Sequence, residues 1–155
     1  MRWICFVLGL LLLTLLPAQA GRTPPKVILR IHVQTTGEGQ SSLEVTQIRV
    51  PPQGEEVLIR SIPEVSETQL IDAQQDNDGL HLRFDHVGQV NLSAATAQNQ
   101  GRLLVVILDG QVIYAPVIDM QITSGELDIP HPIPAQIVEL LQGVARQNVR
   151  RENRS

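Results

Sequence analysis

Cysteine is nearly absent from this chain: of 155 residues one is cysteine, Cys5. It lies in an apolar leader, so the chain beyond that leader carries no thiol. This excludes a disulfide framework, a cysteine-ligated metal and a cysteine nucleophile from the body of the protein. Aromatic residues make up 3%, and beyond the leader they are Phe84 and Tyr114, too few to build stacking platforms for bases or sugars. Positive charge is short as well, with 12 Lys and Arg against 16 Asp and Glu. Arg146, Arg150, Arg151 and Arg154 crowd residues 146–155, which leaves the body acidic. An acidic body argues against a nucleic-acid partner, because neutralising phosphates needs a basic face. There is no Gly-x-Ser-x-Gly elbow and no phosphate loop.

What is present begins with an address. Arg2 precedes an apolar run from Trp3 to Leu16, Pro17 breaks it, and Ala18-Gln19-Ala20 has the small-x-small form of a signal-peptidase site. The run is shorter than the roughly 20 residues a spanning helix needs. Residues 1–20 are therefore expected to be a signal peptide, with an uncleaved anchor as the other reading. The protein is expected outside the cytoplasm, in the periplasm of a Gram-negative source.

The rest suits one domain. Val27, Leu29, Ile31 and Val33 alternate with Arg30, His32 and Gln34, which predicts a half-buried strand with the polar set facing solvent. Two further strands, LEVTQIRV and EEVLIRSI, flank Pro51-Pro52-Gln53-Gly54, so residues 21–63 read as an antiparallel meander behind a short lead-in. Ser66 to Gln69 has the form of a capping box and predicts a very short helix ending near Ala73. After a turn at Asp76 to Gly79, Leu80, Leu82 and Phe84 point inward and His81, Arg83 and Asp85 outward. Val87, Val90, Ala94 and Ala97 recur at helical spacing, with Gly101 as the stop. Leu103 to Leu108 is apolar on both faces, as a covered central strand should be. Asp109-Gly110 is the strongest local hairpin signal, and Val112 to Ile118 returns beside it. Pro116 cannot donate to a ladder, so the return strand is expected at an edge or bulged. ELDI makes a last short strand, and Pro134 opens a helix whose apolar face is Ile137, Leu140, Leu141, Val144 and Ala145. The arginine-rich end is expected to fray. The expected fold is α+β: an antiparallel or mixed sheet with two main helices on one face, residues 64–145 forming its α+β module and residues 146–155 a basic tail.

Several of these segments resemble the head of the first periplasmic domain of SecD, a membrane subunit of the bacterial protein-export machinery. The likeness rests on Leu108-Asp109-Gly110, on Val112-Ile113-Tyr114-Ala115-Pro116-Val117-Ile118, and on Ile122-Thr123-Ser124-Gly125. Upstream, Leu82-Arg83-Phe84-Asp85 and Thr96-Ala97-Gln98-Asn99-Gln100-Gly101 match the family's strand and helix end, and Glu67 to Ala73 resembles the opening of its head. The likeness covers residues 64–129 and leaves the amino-terminal meander unmatched. SecD carries six membrane spans; this sequence reads as a head-like exported module standing alone, without them. The resemblance implies a binding role toward polypeptide and no catalytic residue.

Read from the residues alone, Asp109 is a turn-former rather than a catalytic group, since its nearest potential partner, Asp119, lies at the far end of the return strand. His32, His81, His86 and His131 form no metal-ligand spacing, and Asp76, Asp78 and Gly79 fit a turn better than a calcium loop. No cofactor and no metal is expected. The expected function is non-catalytic protein binding, accessory to protein export or envelope assembly. The surface expected to do this is the edge Val112, Ile113, Tyr114, Ala115, Pro116, Val117 and Ile118, with Asp109 and Gly110 as its turn. The alternative is a small extracytoplasmic hydrolase or ligand-binding protein whose site gathers His32, His81 and Asp85. The C-terminal arginines are expected to give at most weak contact with anionic lipid.

Overall fold

The computed structural model describes residues 28–38 and 44–154; the expected signal peptide, the lead-in, Val27 and most of the loop after Thr35 lie outside them. Among the described residues nine strands and two α-helices follow one another: β1 Leu29–Thr35, β2 Val45–Val50, β3 Glu55–Arg60, β4 Val65–Ser66, β5 Leu70–Gln75, β6 Leu80–Phe84, α1 His86–Gln98, β7 Leu104–Leu108, β8 Gln111–Tyr114, β9 Glu126–Ile129 and α2 Ala135–Glu152. The fold is α+β, as expected, but its strands make two antiparallel sheets rather than one. The larger has the order β2-β3-β1-β7-β8, with β4 also on β1, and the smaller the order β5-β6-β9.

β1 is central to the larger sheet. One edge pairs with β7 from Leu29↔Leu108 to Val33↔Leu104. The other edge is shared by β4, through Arg30 and Ile31, and by β3, through Gln34 and Thr35. The amino-terminal strands are therefore not a consecutive meander: β3, not β2, lies beside β1. Strand pairing joins the two sides of residue 63.

The main core lies between the sheets and the helices. It combines Leu29, Ile31 and Val33 of β1, Leu104, Val106 and Leu108 of β7, and Leu80, Leu82 and Phe84 of β6 with Leu92 of α1 and Leu141 of α2. All five positions expected on the apolar face of α2 pack here, and Val138 joins them. A second, smaller core forms on the opposite face of β7, where Val105 meets Val50, Val57 and Ile59 of the β2–β3 hairpin. Leu103 to Leu108 reads as apolar on both faces because both faces are covered.

Four local expectations are corrected. Ser66 to Gln69 does form a capping box: the Gln69 Oε1 accepts from the Ser66 N–H at 2.9 Å. Yet the helical turn stops at Gln69, and Leu70 onward pairs with β6. A strand partner outside the local sequence decides this, since propensity is a weak prior beside tertiary pairing. In α1 the buried positions are Gly88, Leu92, Ala95 and Thr96, whereas Val87 and Val90 are exposed. Gly88 sets that rotation: a Cβ there would stand 2.7 Å from the Phe84 Cβ, so α1 lies against β6 through its glycine. The arginine-rich end does not fray within the described residues, because α2 runs to Glu152.

The fourth correction is His32. It is 3% exposed, beneath the β2–β3 hairpin, and its Nδ1 lies 2.8 Å from the Arg60 carbonyl. A carbonyl only accepts, so Nδ1 carries the proton. Burial is the larger influence and pushes the imidazole below its ordinary value of 6.5, against the raising effect of that hydrogen bond. With the folded pKa depressed, unfolding takes up a proton between the folded value and 6.5. The stabilisation from keeping His32 neutral is complete above about pH 6.5 and is lost as pH falls toward the folded value. H32Q, which keeps a donor for Arg60, is expected to flatten the decline of the urea midpoint below pH 6.5.

Candidate functional site

The residues singled out from the sequence fall into three places. The first is the β7–β8 turn. Asp109 sits at φ 48 and Gly110 at φ 83, both left-handed as a two-residue hairpin requires. The carboxylate accepts from the Ile28 N–H at 2.8 Å, and the Asp109 N–H donates to the Ile28 carbonyl at 2.9 Å. Asp109 thus shapes the turn and anchors the start of β1, without a histidine in reach. D109A is expected to cost about 1–2 kcal/mol, from the left-handed backbone and a lost hydrogen bond. D109N, which keeps both, should be close to neutral in the same urea titration.

The second place is the return strand. β8 pairs with β7 at Leu108↔Gln111, Ile107↔Val112 and Val106↔Tyr114, and the register slips between Val106 and Ile107. That bulge lets the consecutive side chains Ile113 and Tyr114 both reach the main core, while Val112 and Ala115 pack on the second. Beyond Tyr114 the chain still follows β7: the Leu104 N–H donates to the Pro116 carbonyl at 2.9 Å, and Ile118 exchanges bonds with Gly101 and Arg102 at 2.8 Å each. The strand is both bulged and terminal in its sheet. Among the described residues, no strand pairs with its outer side. Tyr114 meets His131 edge-on at 6.3 Å between ring centres.

The segment after β8 is held by α1. The Thr96 hydroxyl donates to the Leu92 carbonyl at 2.8 Å and accepts from the Ile122 N–H at 2.9 Å. Gln121 reaches Ser93 at 2.7 Å, and Gln89 reaches the Thr123 carbonyl at 2.7 Å. These bonds fix one wall of a groove of about 270 Å³ that runs between the β8 side and β9. Leu104 and Ile118 lie at its base, Pro116, Val117 and Met120 on one side, and Glu126, Leu127 and Asp128 on the other. Val117 and Met120 are 58% and 65% exposed. Sequence reasoning found the β8 side of this groove and missed the β9 side. The signal available was the alternation in ELDI, which sends Glu126 and Asp128 outward.

The third place is the open face of the smaller sheet. His81 on β6 sits opposite Gln74 and Asp128; its Nδ1 is 2.7 Å from Asp128, and its Nε2 is 3.2 Å from Asp76. The Asp128 hydrogen bond, and then the one to Asp76, raise the His81 pKa. Asp76 is lowered, chiefly by the Asp78 N–H and then by His81, and its carboxylate also accepts from the Gly79 N–H, so the Asp76–Gly79 segment is a turn built on its own side chain. Asp72, Gln74, His81, Arg83, Glu126 and Asp128 line a second hollow, which shares Glu126 and Asp128 with the groove.

The histidine–aspartate set of the alternative reading is dispersed. His32 lies under the β2–β3 hairpin on Arg60, His81 stands on the smaller sheet with Asp128 and Asp76, and Asp85 caps α1 by accepting from the Gly88 N–H at 2.8 Å. Among the described residues, no three histidine, cysteine or acidic side chains gather as metal ligands, and no helix is long and apolar enough to cross a membrane. The C-terminal arginines are exposed on the last turns of α2, where Gln147, Arg150, Arg151 and Arg154 line a shallow depression.

Comparison with known proteins bears on this geometry. Residues 41–136 match the family described as SecDF, P1 head subdomain, which takes in the β2–β3 hairpin as well as the segments carrying the sequence motifs. A protein translocase subunit SecD from Acetobacter pasteurianus (strain NBRC 105184 / IFO 3283-01) is 37% identical over 67 residues, 43% of this chain and 13% of that protein. The chain therefore spans a small part of that relative's length. A solved structure of SecDF, a membrane component that enhances protein export, superposes with a TM-score of 0.57 at 20% identity, over 79% of this chain and 63% of that one. SecDF in its super-membrane-facing form gives a TM-score of 0.56 at 20% identity, over 77% of this chain and 18% of that one. The two superpositions show a shared fold, the family match spans more than half of the sequence, and the chain belongs to the SecDF P1 head subdomain family.

Proposed function

We propose that this protein is a non-catalytic, polypeptide-binding head that works outside the cytoplasm, as an accessory to protein export or envelope assembly. The observation that carries the reading is the outer side of β8 and its continuation to Ile118. It is a terminal strand with no strand partner among the described residues, beside the exposed side chains Val117 and Met120. An extended chain can add to such an edge through backbone hydrogen bonds, with neighbouring hollows receiving alternate side chains. The relatives support the direction: one is a translocase subunit and another a membrane component that enhances protein export. Assignment outside the cytoplasm rests on the leader read in residues 1–20 and on that family. The dispersal of His32, His81 and Asp85 supports a role without catalysis. The arginines of α2 add weak attraction to anionic lipid, on the order of 1 kcal/mol for each one close to such a surface.

A photo-crosslinking amino acid at Tyr114, installed in the full chain in living cells, tests this reading. Adducts to exported polypeptides or envelope proteins are expected at position 114, and not at Glu139 on the exposed side of α2. Equal labelling from both positions, or none from 114, would remove the edge from the account.

A further inference from the structure

The groove has a chemical bias that the backbone edge alone would lack. Its two long sides are the continuation of β8 and the strand β9, which pairs only with β6 among the described residues. A chain lying between them meets backbone on either side and the apolar base of Leu104 and Ile118. The rim is acidic. Asp119, Glu126 and Asp128 line the groove, and Asp72 joins them on the adjoining open face. Among the described residues lining both hollows, Arg83 is the one permanent cation, and it stands 3.6 Å from Asp72. His81 faces Asp128 and Asp76 and offsets them only when protonated.

We propose that this groove selects extended segments in which apolar side chains alternate with lysine or arginine, and discriminates against acidic segments of the same apolar pattern. The proposal deepens the polypeptide-binding reading and rests on it. Strand addition sends alternate side chains to opposite sides, so apolar residues enter the groove beside Val117 and Met120 while the residues between them pass the carboxylates of Asp119, Glu126 and Asp128. Placing glutamates there sets like charges against one another, whereas lysines find partners without burying them. Because the rim is exposed, the selection is an electrostatic one that salt screens.

The test is fluorescence anisotropy on the purified full chain with two labelled peptides of one apolar pattern, carrying lysine or glutamate at the alternate positions. The lysine peptide is expected to bind about tenfold more tightly in dilute buffer. That ratio should shrink toward one when salt rises from about 0.1 M to 1 M and the screening length falls from about 10 Å to 3 Å. The triple variant D119N/E126Q/D128N, confirmed by its unfolding curve to be folded, should bind both peptides alike, and E126K should shift preference toward the glutamate peptide. Equal binding of both peptides by the natural chain overturns the charge selection and leaves edge binding standing. Binding of neither overturns both readings. A preference that survives in the triple variant assigns the selection elsewhere and overturns this site.

Discussion

Replacing Gly79 by alanine is expected to destabilise the protein by about 3–5 kcal/mol, adding left-handed backbone strain to a forced overlap. Gly79 closes the turn between β5 and β6 at φ 152. A Cβ built there runs into the carbonyl oxygen of Ile129 and comes within 3.0 Å of the His131 N–H nitrogen. Neither neighbour yields cheaply, because Ile129 is a buried residue of the main core and its carbonyl belongs to the end of β9. The substitution therefore displaces β9, one wall of the groove, or opens the turn that Asp76 holds through the Asp78 and Gly79 N–H groups. Gly110 is the control. It sits at φ 83, yet nothing stands within 4 Å of its Cβ position, so G110A should cost only the left-handed backbone preference, about 1–2 kcal/mol. Urea midpoints of the two variants separate overlap from conformational strain. Equal losses would show that β9 does not press against the turn.

Much of this architecture is legible in the sequence, and the parts that are not share a cause. The β7–β8 hairpin is written in Asp109-Gly110 and the apolar runs beside it, and the inward set Leu80, Leu82 and Phe84 is written in strict alternation. Local chemistry decides both. The face of α1 is misread because Val87 and Val90 look apolar, whereas the helix turns Gly88 inward to come close to Phe84, an approach set by a residue with no side chain to count. Leu70 to Ala73 is misread as the end of a helix because β6, the strand that captures it, begins after the intervening turn. The candidate site divides the same way. Its β8 side follows from Pro116 and the hairpin, while its β9 side depends on two sheets meeting, which no local pattern encodes. His32 is misplaced because a strand with a polar second face reads as half exposed. That face is instead covered from His32 onward, with His32 on the Arg60 carbonyl and the Gln34 Oε1 accepting from the Leu103 N–H at 3.1 Å, while Arg30 stays exposed.

That covered face gives the second large effect. I59D is expected to destabilise the protein by about 3–5 kcal/mol, the usual consequence of an unpaired buried charge. Ile59 is 2% exposed and packs with the apolar side chains Val57, Val50 and Val105 in the second core. One outcome is a carboxyl kept neutral, with its pKa raised above the unfolded value of about 3.9. The variant's deficit would then be smallest below that value and would grow as pH rises. The other outcome is that β2 and β3 leave the back of β7. Hydrogen exchange distinguishes a local from a shared consequence. Ile59 pairs with Gln34 of β1 and with Thr46 of β2, and Val105 loses its cover when the hairpin lifts. Protection is therefore expected to fall in β1 and β7 together with residues 45–60. Loss confined to residues 45–60 would make the hairpin an independent flap and refute the shared consequence. E56A sets the baseline: Glu56 faces solvent on the same strand and meets Arg49 at 3.1 Å and Gln47 at 2.6 Å, contacts worth about 1 kcal/mol or less at an exposed site. A hairpin that protects β1 and β7 in this way would also steady β8, the strand proposed to meet polypeptide, since Val112 and Ala115 rest on the same second core.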